Sequence, residues 1–574
     1  MGGNAKPDTT GRFLTVCAFL VAAFTLFAGL GKLALMAPDE ERNSEVAREM
    51  EQSGAWLVPT YDGLPYLDKP AFYFKTVALS FAAFGESNIA ARLPSALSGF
   101  AVLALLFGFC RRVYNERCAA LAVLVVATSP LYIAFSRLVI LDMMLAFFVC
   151  ASIFAGFRAE EDEPRRSRWY LLGAASAGFA TLIKGPVGFI LPALVLGIFN
   201  RLDGRHGALK RLFAPLNCVV FFAIVLPWFL GVICHYSDFA HYGIVEESFH
   251  RYTTTTFRRT GPIYYYAPWI VAGCFAWSVL LPESIVAAWM ARAQWSSADR
   301  LFVVWSIVLL VFFSMSQSKR PDYILTVVAA LGALMARIFD RAFARGNGRA
   351  ARLVFRGTVA LVVVSTVAAG LLATSVIKPG TMERLLHVHS EEFTWLLPVY
   401  APVMYGLILI AVTAALACWR GNLQIAFVAF LFLPLVVLTV GFRALALYAE
   451  SKSNQTFASR IPELTSNTEI VCLQCFPTGL PFYLKRFVTV VSDGGKEFTS
   501  NYVIFMLSKV KPWPENVVPL AERDPWLAAR DHPVYLIVRQ NTREMLTSLA
   551  ATRGTAVAEL QPGWWGALLP AAPR

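Results

Sequence analysis

The stretch 38–50 reads PDEERNSEVAREM: three consecutive carboxylates, Asp39, Glu40 and Glu41, followed at once by Arg42. An apolar run long enough to cross a bilayer stands directly before it, and a solvated loop needs no such packing of charge. Other ionisable residues also sit at the ends of apolar runs. Lys69 follows Asp68 in YLDKP, Asp142 stands in RLVILDMM, Lys184 in TLIKGP, and Lys319, Arg320 and Tyr323 in SQSKRPDYIL. Segment 236–263 adds Glu246, Glu247, His250, Arg251, Arg258 and Arg259. Charge this close to hydrocarbon is a functional candidate by default; for any one of these residues alone, the alternative is an interfacial anchor that snorkels to water. Taken jointly, they suit transfer of a group carried on a lipid phosphate. Lysine and arginine stabilise the leaving phosphate, and an aspartate orients the sugar or serves as its base.

Other chemistries find less support. There is no Walker or GxGxxG loop for a nucleotide and no HExxH pair for zinc. His387 and His389 form an H-x-H, a weak metal signal that is more often plain surface. No cofactor is required by this reading; a divalent metal stays open, with Asp68, Glu246 and His250 as its candidate ligands. Cys472 and Cys475, in VCLQCF, are compatible with a disulfide in an oxidising compartment, but they lack the second half of a zinc motif.

The elements that must position these residues are mostly membrane helices. The chain has 574 residues, 57% of them hydrophobic and 16% charged, against about 25% charged in a soluble protein. Apolar runs of about 20 residues, each of bilayer-crossing length, are expected at about thirteen places: 13–35, 90–110, 118–136, 142–157, 169–183, 185–200, 212–234, 264–290, 301–316, 322–336, 357–377, 394–418 and 423–447. Lys184-Gly-Pro186 reads as a tight turn between two of them. The run 72–84 carries Lys75 and is short, so it is expected as a helix lying at the interface. The net charge of +13 gathers in RRVYNER, RAEEDEPRRSR, RLDGRHGALKR and RIFDRAFARGNGRAARLVFR, as the positive-inside rule requires of cytoplasmic loops; nucleic acid is not implied.

Within the first long loop, Asn43 or Ser44 is expected to cap a helix running to about Gln52. Val46, Ala47 and Met50 would lie on one face, with Glu45, Arg48, Glu49 and Glu51 mainly on another. Trp56, Tyr61, Tyr66, Phe72 and Tyr73 follow, aromatics suited to the headgroup level. Beyond residue 450, EIVCLQCF, RFVTVV and PVYLIVRQ read as strands between turns, so a small α/β domain closes the chain.

At this point the sequence resembles a known family. The frame PDE-x-R-x-x-E-x-A-R-E-M, the Y-x-x-K-P of 66–70, LD at 141–142, KG at 184–185 and SKRPDYIL are similar, in the same order, to membrane glycosyltransferases of the GT-C fold. They look most like the aminoarabinose transferases of Gram-negative bacteria, relatives of protein O-mannosyltransferases. Position 43 is Asn where that family usually has Tyr, and position 259 is Arg where it often has His.

The resemblance implies a membrane all-α fold of GT-C type, with about 13 transmembrane helices and a C-terminal periplasmic α/β domain. The expected divisions are a transmembrane helix at 1–35, a periplasmic loop with interfacial helices at 36–89, a transmembrane bundle at 90–450 and the periplasmic domain at 451–574. It implies a monomeric inner-membrane enzyme, with its active site facing the periplasm. Such an enzyme moves 4-amino-4-deoxy-L-arabinose from undecaprenyl phosphate to lipid A phosphates and confers resistance to polymyxin and cationic peptides. Asp39 and Asp142, with Glu40, would be the acidic site residues, and Lys69 would contact the carrier phosphate. Arg42, Tyr66, Lys184, Arg251, Arg258, Arg259, Lys319 and Tyr323 would line the carrier and lipid site. The alternatives are transfer of another polyprenyl-linked sugar, or to another acceptor such as a protein hydroxyl or a core sugar, and a lipid transporter with no chemistry. Against the transporter stands the one-sided placement of the charges, since transporters put such groups near the midplane.

Overall fold

A computed structural model describes residues 9–254, 260–290, 292–345, 348–377, 397–439 and 442–571. The chain divides into two compact units, one of 1–30, 94–229 and 248–447, the other of 31–93, 230–247 and 448–574. Among the described residues, seven helices are long and apolar enough to cross a membrane, or eight if a pair bent by 71° counts as one span. Shorter apolar helices include Gly11–Phe27, Phe72–Phe84, Val187–Leu202 and Leu423–Phe432.

Two of the thirteen expected runs are interrupted, for local reasons. The run 118–136 is Glu116–Ala127 followed by Pro130–Ser136. Pro130 has no amide proton to continue the ladder. Thr128 Oγ1 and Ser129 Oγ also bond back to the carbonyls of Leu124 and Val125, which bends a helix. The run 264–290 is not one helix either. It breaks into Tyr266–Gly273, the 3₁₀ turn Trp277–Leu280 and Leu281–Met290, with Pro282 restarting the last piece.

In the first unit, the helices Asp142–Glu161 and Arg166–Lys184 form an antiparallel hairpin across the short turn Glu163–Arg165. The two are nearly equal in length, 20 and 19 residues, so the hairpin returns Lys184 to the level of Asp142. Gly185, at φ +73°, then turns the chain into Val187–Leu202. A Cβ at Gly188 would lie 2.3 Å from the backbone of Ala180 and Thr181, so only glycine permits this tight return.

At the other ends of these helices, acids take up the arginines of the basic loops. Asp203 accepts from Arg205 and Arg300 at 2.9 and 2.6 Å, and Glu160 accepts from Arg211 at 2.5 and 2.8 Å. Asp340 accepts from Arg117 at 2.8 Å, and Asp299 from Arg341 at 3.1 Å. Part of the loops' basicity is therefore neutralised locally.

In the second unit, the helix Asp39–Ser53 starts after Pro38, with no side-chain cap, and not at Asn43 or Ser44. Asp39, Glu40 and Glu41 fill its first turn, where the helix dipole favours negative charge. Gly54, at φ +68°, closes it with an N–H bond to the Met50 carbonyl. Both faces of this helix are internal: Glu45, Arg48 and Glu49 are buried along with Val46, Ala47 and Met50. Arg48 donates to both Glu45 oxygens at 2.7 and 2.6 Å.

The hairpin Thr60–Tyr61/Leu64–Pro65 turns at Asp62-Gly63, both with positive φ, the Asp-Gly signature of a type I′ turn. Tyr61, Tyr66 and Tyr73, expected at lipid headgroups, are buried inside this unit. Tyr61 packs on Phe476 with 5.5 Å between centroids.

The tail carries a six-stranded sheet in the order Val517–Pro519, Thr489–Ser492, Glu469–Leu473, Val534–Arg539, Trp564–Leu569, Ala558–Gln561. The first four strands are parallel and the last two antiparallel. Val471, Val491, Leu536, Val538 and Leu546 lie in its core. Cys472 and Cys475 are buried free thiols.

Candidate functional site

The chemistry-bearing residues form two clusters, one in each unit. In the second unit, the helix Asp39–Ser53 presents Asp39 and Arg42 from one turn, paired at 2.5 Å. The Arg42 guanidinium lies 5.7 Å from the Tyr66 ring centroid and donates to Thr499 Oγ1 at 3.1 Å. Its Nε–H is buried with no partner among the described residues.

Lys69 pairs with Glu247, which comes from the π-helical turn Tyr242–His250; such turns are frequent at functional sites. Asn501 Nδ2 reaches the other Glu247 oxygen at 3.5 Å. The neighbouring Asp68 serves a different purpose. It accepts from the N–H groups of Asn501 and Tyr502 at 3.1 and 2.7 Å, from Ser500 Oγ at 3.2 Å and from Tyr242 Oη at 3.0 Å. Those four donors use its lone pairs; the three from 500–502 tie the first loop to the tail, and Tyr242 ties it to the segment 236–263.

Glu40 and Glu41 are equally committed. Glu40 accepts from Arg92 through both oxygens at 2.8 Å, and the pair is almost fully buried. Arg92 also donates to the carbonyls of Leu33 and Ala34 at 2.7 and 2.8 Å. Glu41 accepts from Asn454 N–H at 2.6 Å and Asn454 Nδ2 at 2.5 Å, and from Ser453 Oγ and Thr478 Oγ1 at 3.2 and 3.1 Å. Glu40 was expected beside Asp39 as a site acid; its bidentate partner makes it a brace for the first turn.

Burial outweighs the four donors around Glu41 and pushes its pKa up to about 7. Burial, with Glu45 nearby, pushes Glu49 up to about 8. The folded chain therefore holds protons that the unfolded chain releases, and stability from these groups is present below about pH 4.5 and lost as pH rises through about 7 and 8. Hydrogen exchange of the tail in the full-length protein should show protection falling across this window. Glu41→Gln should flatten the fall, and an unchanged slope would contradict this assignment.

In the first unit, Asp142 opens its helix, Lys184 ends its own, and Asp322 lies in the first turn Pro321–Ile324. Acids at helix starts and a cation at a helix end each suit the dipole. Lys184 pairs with Asp142 and stands 3.4 Å from Asp322 Oδ2. Arg320 holds the other Asp322 oxygen at 2.8 Å. The Lys184 ammonium lies 4.5 Å from the centroid of the Tyr323 ring, within cation–π range.

Lys319 stands apart from this group, donating to the Ser316 carbonyl at 2.5 Å. Arg258 and Arg259 lie outside the described residues, as do His387, His389 and the Arg251 side chain. Glu246 pairs with His241 at 3.6 Å. Among the described residues, no three of His, Cys, Asp or Glu stand together as a metal site, so Asp68, Glu246 and His250 do not form one.

Two partners were missed in the sequence. Asp322 stands at the start of a span, as Asp142 does, but Arg320 and Tyr323 drew attention away from it. Arg92 interrupts the apolar stretch IAARLP, a signal equal to that of Lys184.

Residues 68–230 match the family described as dolichyl-phosphate-mannose-protein mannosyltransferase. The undecaprenyl phosphate-alpha-4-amino-4-deoxy-L-arabinose arabinosyl transferase of Photorhabdus laumondii is 29% identical over 406 residues, 69% of this chain and 71% of that protein. The protein of the same name in Pseudomonas aeruginosa strain LESB58 is 31% identical over 349 residues. That match covers 58% of this chain and 62% of that protein, short of two thirds of its length. The crystal structure of ArnT from Cupriavidus metallidurans bound to undecaprenyl phosphate superposes with a TM-score of 0.81 at 25% identity, over 99% of this chain and 100% of that one.

Proposed function

We infer that this chain, a glycosyltransferase of the GT-C fold and a homologue of the undecaprenyl-phosphate aminoarabinose transferases, moves 4-amino-4-deoxy-L-arabinose from undecaprenyl phosphate to phosphate groups of lipid A. The observation that carries this reading is the near-complete structural likeness to ArnT, together with the acids and bases at the span ends. In the reaction, an acceptor phosphate oxygen attacks the anomeric carbon. The bond from that carbon to the carrier phosphate oxygen breaks, and undecaprenyl phosphate leaves with the electron pair. The balance closes without a cofactor.

Lys69 offsets the charge that develops on the leaving phosphate, exchanging Glu247 for it, and Arg42 assists. A phosphate monoester is largely ionised above its second pKa of about 6, so this acceptor needs no strong base. Asp39, paired with Arg42 in the same cluster, is then free of base duty and orients the sugar through its amine. The work takes place at the periplasmic face of the inner membrane. Adding an amine to an anionic surface weakens its hold on cationic peptides, which accounts for polymyxin resistance.

Expression in a polymyxin-sensitive strain lacking the activity tests the reading by mass spectrometry of lipid A. A gain of one aminopentose on phosphate, with survival in polymyxin, is expected. Unchanged lipid A, with the protein present in the membrane, would refute it in favour of another acceptor.

A further inference from the structure

Resting on that reading of the donor, we propose that Asp322 is a positioning and specificity residue that receives Lys184 when the donor's ammonium takes Asp142. One cation is thereby exchanged for another. Three features of the first-unit cluster carry this.

First, Lys184 already addresses both acids: it is paired with Asp142 and 3.4 Å from Asp322 Oδ2. Second, the two acids differ in their freedom. Asp322 is clamped through Oδ1 by Arg320 at 2.8 Å, and its side chain is 1% exposed against 6% for Asp142. Asp322 is the fixed station and Asp142 the one a ligand reaches. Third, Lys184 is the member able to move, on a four-carbon stem with three rotatable donors. The Tyr323 ring, 4.5 Å away, can face the ammonium in either position.

Charge decides what can drive the exchange. Asp142 and Asp322 balance Lys184 and Arg320, so the cluster is neutral as it stands. A neutral sugar cannot take Asp142 from Lys184, because Lys184 would close on Asp322 and leave the buried Asp142 carboxylate without a cation. A sugar ammonium can: it supplies the cation for Asp142, while Lys184 closes on Asp322 Oδ2 and shares that carboxylate with Arg320 on Oδ1, so every charge keeps a partner. Asp322 thus makes a cationic sugar acceptable and a neutral one unfavourable.

The test uses purified full-length enzyme with two donors, the amino sugar on undecaprenyl phosphate and its formamide. KM and kcat are measured for the wild type, Asp322→Asn and Lys184→Gln, with thermal unfolding in parallel. Wild type should prefer the amine. Asp322→Asn strands Lys184 on Asp142, so KM for the amine donor should rise about tenfold or more, as for loss of one charged partner, while the formamide donor changes little. Lys184→Gln removes the competing cation, and preference for the amine should increase. Should Asp322→Asn fail to fold, Lys184→Gln carries the test alone. Equal losses for both donors, or preference unchanged in Lys184→Gln, would overturn the exchange. A wild type that accepts neither donor would overturn the reading of the donor and the exchange with it; one that accepts both equally would overturn the exchange alone.

Discussion

Lys69→Ala is expected to cut turnover by two to three orders of magnitude while the protein still accumulates in the membrane. Removing one preorganised donor from a developing anion costs about 2–4 kcal/mol in comparable sites, and Lys69 is the lysine of the first-loop cluster. Its present partner sharpens the expectation. Because Lys69 is paired with Glu247, a phosphate must compete with that carboxylate, so Glu247→Gln should lower the KM for the donor while Lys69→Ala lowers kcat. The double variant should be as slow as Lys69→Ala, since easing the competition cannot help once the lysine is gone. Near-normal turnover in the purified single variant, with the donor bound as tightly as before, would remove Lys69 from the reaction. A KM in Glu247→Gln equal to that of the wild type would remove the competition.

What was legible in the sequence divides along physical lines. Elements set by local pattern were readable. The short apolar run 72–84 is the helix Phe72–Phe84, and the strand-like segments contain Glu469–Leu473, Thr489–Ser492 and Val534–Arg539. The GT-C fold, announced by motifs rather than by periodicity, is matched by ArnT over nearly the whole chain. Hydropathy, by contrast, cannot see a bend. The stretches 118–136 and 264–290 are apolar throughout, yet proline and back-bonding hydroxyls divide them. Nor can it see that the charged face of the helix Asp39–Ser53 is internal. Burial there is decided by partners distant in sequence: Asn454 and Thr478 for Glu41, Asp62 and Gly63 for Glu49. Asp322 escaped for the same reason. Its significance lies in Lys184, which is far away in the chain and adjacent only after the helices pack.

The three carboxylates of PDEER should therefore fail in three different ways, and the contrast is the strongest test of the first-loop cluster. Breaking a buried ion pair by removing one partner costs about 3–5 kcal/mol, because the other charge is left uncompensated. Glu40→Ala strands Arg92, which is 1% exposed, so it should lower the unfolding temperature and the yield, and any activity loss should be the same for every donor. The double variant Glu40→Ala, Arg92→Met should recover much of the stability, as removing both charges often does. Glu41→Gln should alter the pH dependence of the tail with little effect on either donor. Asp39 is the most exposed of the three acids, at 27% of its side chain, and pairs with Arg42 within its own helix turn. Asp39→Asn should leave unfolding nearly unchanged, weaken the amine donor and spare its formamide, which has no charge to lose. If Asp39 were the base for a hydroxyl acceptor, both donors would instead stop together, and the wild-type rate would fall as pH drops through the aspartate's own pKa. Unfolding temperature, tail protection and donor preference, measured on the same three variants, separate brace, clasp and orienting acid. A Glu40→Ala enzyme as stable as the wild type, or an Asp39→Asn enzyme equally poor with both donors, would break this division of labour.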